Sequence, residues 1–192
     1  MTAPDPELFR QACQGDRDAF WQLIVPYRGL VYSVAFGMLK NHEQAEDKLH
    51  DVLVVACRAL PNLRDPKRLP GWLYSITRNH IRDGMRRAKR LRLATNEIAA
   101  RTAEVVRVSE MAEKEAWLTQ MEESMRHLPE PFRIILGMKY MNAYSCRQIA
   151  EILDISVPAV KSRLFEARKL LRRRMEALDA DSPSAAHGKG VE

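Results

Sequence analysis

The sequence predicts an all-α fold of two small helical domains joined by a linker, the C-terminal one a helix-turn-helix. Three observations carry that expectation. Apolar residues recur at spacings of three and four from Pro6 to Leu178, with no clear strand-like alternation. Turn and cap residues cut this pattern into segments of helix length. Basic residues gather in two places, one in each half of the chain.

The expected helices are 6–14, 17–40, 43–60, 70–87, 111–127, 129–141, 146–153 and 157–178. Pro26 lies inside the second, where it removes a backbone donor and crowds the preceding turn, so a kink or break is expected there. Pro61, Pro66 and Pro70 mark a loop. Residues 88–110 lack aromatics and a sustained apolar stripe, which puts the domain boundary in that stretch: one domain at 1–92, a linker at 93–110 and a second domain at 111–178. The segment 179–192, rich in Ser, Ala and Gly, reads as disordered.

With 46% hydrophobic and 29% charged residues the composition is that of a soluble globular protein. Residues 78–92 carry a net charge of +6 and residues 145–178 a net +4, while the rest of the chain is net −4. Two basic patches set apart by acidic chain suit two contacts on one long polyanion. Nucleic acid fits that pattern better than a membrane: the longest uninterrupted apolar run, Val52 to Cys57, is far short of a bilayer span, and MTAPDPELFR has no signal-peptide pattern. A cytoplasmic protein without membrane insertion is expected. Cys13, Cys57 and Cys146 are isolated, which indicates neither a disulfide framework nor a zinc site, and Cys57 within its apolar run reads as a buried small hydrophobe.

In HEQAEDKLHDVLVVACRAL, Glu43, Glu46, Asp47 and Asp51 share a face with His50, opposite an inner stripe of Ala45, Leu49, Val52, Ala56 and Ala59 or Leu60. Three readings of that acidic face stand side by side: a solvated helix surface, a docking face for a basic partner, or a metal-dependent hydrolase site built on Asp47, His50 and Asp51. The metal reading lacks the second acid-x-x-His pair that a di-metal carboxylate site needs. In LPGWLYSITRNHIRDGMRRAKR, Trp72, Leu73, Ile76, His80 or Ile81 and Met85 form an inner stripe beside Arg78, Asn79, Arg82, Arg86 and Arg87. Aromatic rings next to arginines suit single-stranded DNA, because rings stack on unpaired bases while guanidinium groups follow the phosphates. The alternative is that Trp72 and Tyr74 complete the core.

The C-terminal segment IAEILDISVPAVKSRLFEARKLL reads as a DNA-binding helix-turn-helix. Its first helix carries Ile149, Ala150 and Leu153 on one face, and Asp154, Ile155 and Ser156 make the turn. Ser156 caps the second helix, Pro158 occupies its first turn, and Val160, Leu164, Ala167 and Leu171 form the inward stripe. Pro158, Ser162, Glu166, Lys169 and Arg173 lie opposite, flanked by Lys161, Arg163, Phe165 and Arg172. Such a face suits a major groove, with Lys and Arg on phosphates or guanine edges and Phe against a thymine methyl. A stand-alone operator-binding regulator would share these features.

From Leu8 to Met175 the chain resembles the extracytoplasmic-function (ECF) group of bacterial RNA polymerase sigma factors. The motifs stand in the family's order: GDRDAFWQLIVPYRGLVY is similar to the start of region 2, AEDKLHDV to its polymerase-docking helix, GWLYSITRNHIRDGMRR to its promoter-melting helix, and LPEPFRIILGMKYMN with the helix-turn-helix to region 4. The resemblance implies a non-enzymatic initiation factor without a cofactor that brings RNA polymerase core to a promoter. It assigns Asp47, His50 and Asp51 to the polymerase clamp and the C-terminal domain to the flap. Asn62, Arg64, Asp65, Lys67 and Arg68 would hold a base flipped from the minus-10 element, with Trp72, Asn79, Arg82, Arg86 and Arg87 along the opened strand. Binding of minus-35 duplex falls to Pro158, Ala159, Lys161, Ser162, Arg163, Phe165, Glu166, Lys169 and Arg173, with Lys169 and Arg173, together with Arg168 and Arg172, on phosphates. An anti-sigma factor is an expected partner. The chain departs from the family pattern at His50, where Gln is usual, at Lys48, where an aliphatic residue is usual, at Asp154, where glycine is common, and at Pro158 and Ala159, which often are Gly and Thr.

Overall fold

The computed structural model describes residues 4–94, 125 and 127–181, and every regular element among them is helical. Helix α1 (Pro6–Cys13) starts at Asp5, whose carboxylate accepts from the Glu7 N–H at 2.9 Å, and α2 (Arg17–Ile24) starts at Asp16, which accepts from Asp18 and Ala19. The break expected at Pro26 is a 3-10 turn over Val25–Tyr27, after which α3 (Arg28–Leu39) runs on. Lys40 ends α3 in the left-handed conformation, at φ 60°.

Helix α3 is the central rod of the protein. Leu30, Val31, Val34, Ala35, Phe36 and Met38 are all buried, and the helices at His42–Ala59, Leu69–Ala94 and Glu130–Leu136 pack around them. A helix apolar on every side needs neighbours on every side. Helix α4 (His42–Ala59) is capped by Asn41, which accepts from the Gln44 N–H at 2.8 Å, and buries Ala45, Leu49, Val52, Leu53 and Ala56. Two 3-10 turns, Leu60–Asn62 and Pro66–Arg68, lead into α5 (Leu69–Ala94).

The second half comprises α6 (Glu130–Leu136), a π-helical turn at Gly137–Met141, α7 (Cys146–Leu153) and α8 (Val157–Asp181). It packs onto the first half through α3 against α6 and α5 against α7, and one buried cluster runs through both. Most of the expected helix at 111–127 lies outside the described residues, as do residues 95–110 of the expected linker.

Five expectations need correction. The buried line of α5 is Leu69, Leu73, Thr77 and Ile81, not the Trp72–Ile76–Met85 line; Trp72 and Ile76 are half-buried and Met85 is exposed. Thr77 can lie inside because its hydroxyl donates to the Leu73 carbonyl at 2.7 Å, which satisfies the polar atom within the helix. Cys57 is exposed, since the 3.6-residue repeat that turns Val52, Leu53 and Ala56 inward turns Val54 and Cys57 outward. In α7 the buried apolar residues are Ile149, Ala150 and Ile152, with Leu153 half-buried, because α7 faces α5 as well as α8. Finally, α8 continues to Asp181, so residues 179–181 of the expected disordered segment are helical. Helix α5 also outruns its expected end at 87, reaching Ala94.

Candidate nucleic-acid interface

The basic edge of the first half is built by the loop before α5 and by α5 itself. Leu63 is buried and anchors the loop, while Asn62, Arg64, Asp65, Lys67 and Arg68 are exposed. The Asp65 carboxylate accepts from the Lys67 N–H at 3.0 Å, fixing the tight turn that starts the second 3-10 segment. Behind this loop opens a cleft of about 730 Å³ whose walls include Lys67, Arg68, Trp72 and Tyr74 on one side and Gln148, Glu151 and Asp154 of the second half on the other. Trp72 and Tyr74 are each half-buried against the core, so both contribute packing while lining the cleft.

Along α5 the cations differ in their surroundings. Arg78 and Arg82 stand 3.8 Å and 3.6 Å from the Glu130 carboxylate of α6, and the Arg78 Nε is buried with no hydrogen-bond partner. Asn79, Arg86 and Arg87 are exposed; Arg86 lies 4.0 Å from Asp83 and Arg87 donates to the Asp83 carbonyl. Arg86, Arg87, Lys89 and Arg90 line a shallow basic groove on the outer part of the helix.

The acidic face of α4 is as expected in position, with Asp47, His50 and Asp51 exposed. Asp51 is held in place from two sides, accepting from Lys48 Nζ at 2.5 Å and lying 3.8 Å from His80 Nε2 of α5. The hydrogen bond and charge of Lys48, with His80 adding to them, hold its carboxyl below the usual carboxylate range. His50 Nδ1 lies 2.9 Å from the Glu46 carbonyl, which can only accept, so Nδ1 carries the proton and Nε2 is left for a partner. Val54 stands 52% exposed one turn further along the same face, an apolar centre beside three polar groups. Sequence reading did not single it out, although its place off the inner stripe of Val52 and Ala56 was available. Among the described residues no three His, Cys, Asp or Glu side chains converge as ligands to one metal ion would.

The helix-turn-helix is fixed at both ends by caps. Ser145 and Gln148 form a reciprocal pair at the start of α7: Ser145 Oγ accepts from the Gln148 N–H at 3.2 Å, and the Gln148 side chain accepts from the Ser145 N–H at 2.8 Å. Asp154 takes the left-handed conformation at φ 54°, and the Ile155 N–H closes the turn on the Ala150 carbonyl at 3.1 Å. An aspartate thus makes the turn that a glycine would make more readily. Ser156 Oγ accepts from the Ala159 N–H at 3.3 Å to start α8. Val160, Leu164 and Ala167 are buried, and Pro158, Lys161, Ser162, Phe165, Glu166, Lys169, Arg172 and Arg173 are exposed, with Ala159 and Arg163 half-buried. Phe165 is 63% exposed, and none of Lys161, Lys169, Arg172 and Arg173 is paired with an acid among the described residues. Arg168 instead bends back, donating to the Leu164 carbonyl at 3.1 Å.

Two family models match the chain, Sigma-70 region 2 over residues 23–91 and Sigma-70 region 4 over residues 118–171, together more than half of it. ECF RNA polymerase sigma factor SigM of Mycobacterium tuberculosis is 30% identical over 179 residues, covering 91% of this chain and 86% of that protein. The chain belongs to the ECF RNA polymerase sigma factors. ECF sigma factor SigW of Bacillus subtilis is 26% identical over 178 residues, covering 88% of this sigma factor and 95% of that one. Among solved structures, CnrH in complex with the cytosolic domain of CnrY superimposes with a TM-score of 0.60 at 27% identity, covering 93% of this chain and 99% of that one. The protein is therefore an alternative sigma factor that directs promoter-specific transcription initiation with RNA polymerase, and its family comprises transcription factors rather than enzymes. Among the described residues no helix is long and apolar enough to cross a membrane.

Proposed function

We propose that residues 1–92 of this sigma factor dock on polymerase core and open the minus-10 region, that 93–110 link the two units, and that 111–178 read minus-35 duplex. Asp47, His50 and Asp51, with Val54 one turn beyond them, meet the clamp, and the C-terminal unit meets the flap. The loop residues Asn62, Arg64, Asp65, Lys67 and Arg68 receive a base flipped out of the minus-10 element. Trp72, Asn79, Arg82, Arg86 and Arg87 then follow the opened strand. Unpairing costs a few kcal/mol, offset by base stacking of about 1 to 3 kcal/mol per base and by phosphate contacts. Pro158, Ala159, Lys161, Ser162, Arg163, Phe165, Glu166, Lys169 and Arg173 face the minus-35 major groove. The protein works in the cytoplasm, where its template is, and an anti-sigma factor holds it in reserve; CnrH was solved with a protein partner bound.

The observation that supports this reading best is the outer face of α8, where an exposed phenylalanine stands among exposed cations that have no acid partner among the described residues. Solvation alone gives no reason to leave a phenyl ring in water, whereas a thymine methyl does. Trp72→Ala tests the melting assignment. The variant should bind core as the parent does while the permanganate reactivity of minus-10 thymines falls about tenfold, in line with the loss of one stacked ring. Undiminished reactivity would remove Trp72 from the opened strand.

A further inference from the structure

The acidic face of α4 carries a cation within it. Lys48 lies three residues before Asp51, and its ammonium donates to Asp51 Oδ2 at 2.5 Å. His80 Nε2 of α5 stands 3.8 Å from the same oxygen, so Oδ2 is approached from two sides while Oδ1 has no partner among the described residues. Asp47 precedes Lys48 by one residue and does not face it, and no cation stands beside it among the described residues. The two carboxylates thus differ: Asp47 is open and Asp51 is half taken. The Asp51 carboxyl, held below the usual carboxylate range first by the Lys48 hydrogen bond, records the same grip.

Helix stability gives little reason for the pair. A lysine ahead of its acid is the weaker order along a helix, whose macrodipole favours the acid nearer the N-terminus. The two side chains are also 37% and 51% exposed, and an ion pair so open to water contributes little. Its consequence lies outside the helix. A face of Glu43, Glu46, Asp47 and Asp51 fits a basic partner by charge, and a guanidinium group binds a carboxylate best when its fork takes both oxygens. Lys48 denies it one of them. We propose that Lys48 is a positioning residue that lowers the affinity of this sigma factor for polymerase core: it holds Asp51 Oδ2 in the free protein, and an arginine of the clamp must displace it before the fork can close. Because the pair is half-exposed the displacement is easy, and core binding is weakened about threefold rather than prevented. By mass action the same factor lowers the share of a limiting pool of core that the protein holds. This inference rests on the assignment of Asp51 to the clamp.

The test titrates the labelled full chain with core RNA polymerase at fixed salt and reads fluorescence anisotropy. Lys48→Met, which keeps an unbranched side chain without the charge, should bind core about threefold more tightly and melt as the parent does. Lys48→Arg, which keeps a cation, should stay near the parent. Asp51→Asn should weaken binding, and in that background Lys48→Met should bring no gain, whereas in an Asp47→Asn background the gain should stay. Nuclear magnetic resonance of the free protein supplies a readout that a packing role would not move: the Asp51 carboxyl should titrate higher in Lys48→Met than in the parent. Lys48→Met protein that binds no tighter than the parent, a gain undiminished by Asp51→Asn, or an Asp51 carboxyl that titrates alike in both proteins would overturn the role of Lys48. Any of these, with Asp51→Asn still weakening binding, leaves the clamp assignment intact. Asp51→Asn protein that binds core as the parent does would overturn the clamp assignment of Asp51 and the role of Lys48 with it.

Discussion

Helices α5 and α8 are both long and both strongly basic, yet they offer their charge differently. On α8 the cations Lys161, Lys169, Arg172 and Arg173 are exposed, with no acid partner among the described residues, and a buried stripe runs from Val160 to Ala167. On α5 the charge is divided: Arg86, Lys89 and Arg90 are open, whereas Arg78 and Arg82 face Glu130 and Trp72 is drawn halfway into the core. A basic helix is therefore not always one whose charge is ready for use. On the proposed assignment, the helix that reads duplex holds its cations in the open, and the helix that opens duplex has two arginines facing a carboxylate of the second half.

The contrast breaks most severely if the frame of α8 is removed. Leu164 is 1% exposed between α7 and α8, and Leu164→Ala should cost about 2 to 5 kcal/mol in thermal or urea unfolding and abolish minus-35 binding. A loss well under 1 kcal/mol would mean that the helix-turn-helix does not depend on that stripe. Removing charge rather than frame sharpens the comparison. Lys169→Ala with Arg173→Ala should weaken duplex binding on every sequence and reduce the slope of log affinity against log salt by about 2, with unfolding unaffected; an unchanged slope would take both residues off the phosphates.

A smaller effect is expected at the entry to the helix-turn-helix. Ser145→Ala removes one half of the reciprocal cap and should cost about 1 kcal/mol of stability while leaving the salt slope alone. The smallest effect concerns Tyr144, whose phenol burial pushes up to about 12, with repulsion from Tyr27 adding to the shift. Because the folded value lies above the ordinary one of about 10, the neutral phenol's contribution is whole below pH 10 and is lost as pH rises through about 12. An ultraviolet absorbance titration should show one tyrosine ionising near pH 12. A titration in which every phenol ionises near pH 10 would show Tyr144 to be open to water.

What the chain disclosed in advance follows from how local each feature is. Caps and breaks are local: Pro26, Ser156 and the Asp154 turn act within a few residues of themselves, and all three appear where composition and spacing put them. The stripe of α8 was legible because its inner residues are all aliphatic. That of α5 was misjudged because Thr77 hides its hydroxyl on its own helix, and a threonine does not announce that choice. At Cys57 the hydrophobicity of the run points inward, whereas the residue's phase on the helix turns it outward. Glu130 and Arg133 were not legible at all, since each acquires its meaning from residues far away in the chain, Arg133 from the Gly37 carbonyl it donates to, for instance. The same holds for Val54, which becomes a candidate contact only once Asp47, His50 and Asp51 are seen to be exposed beside it.

The most direct measurement is transcription by core RNA polymerase on a library of promoter fragments, with and without this protein, followed by alignment of the start sites. The account predicts transcripts that depend on the added protein and share two upstream elements at fixed spacing, and that are lost in the Lys169→Ala, Arg173→Ala double variant. Transcription from every fragment indifferent to the protein, or protein-dependent starts with no shared upstream sequence, would contradict it.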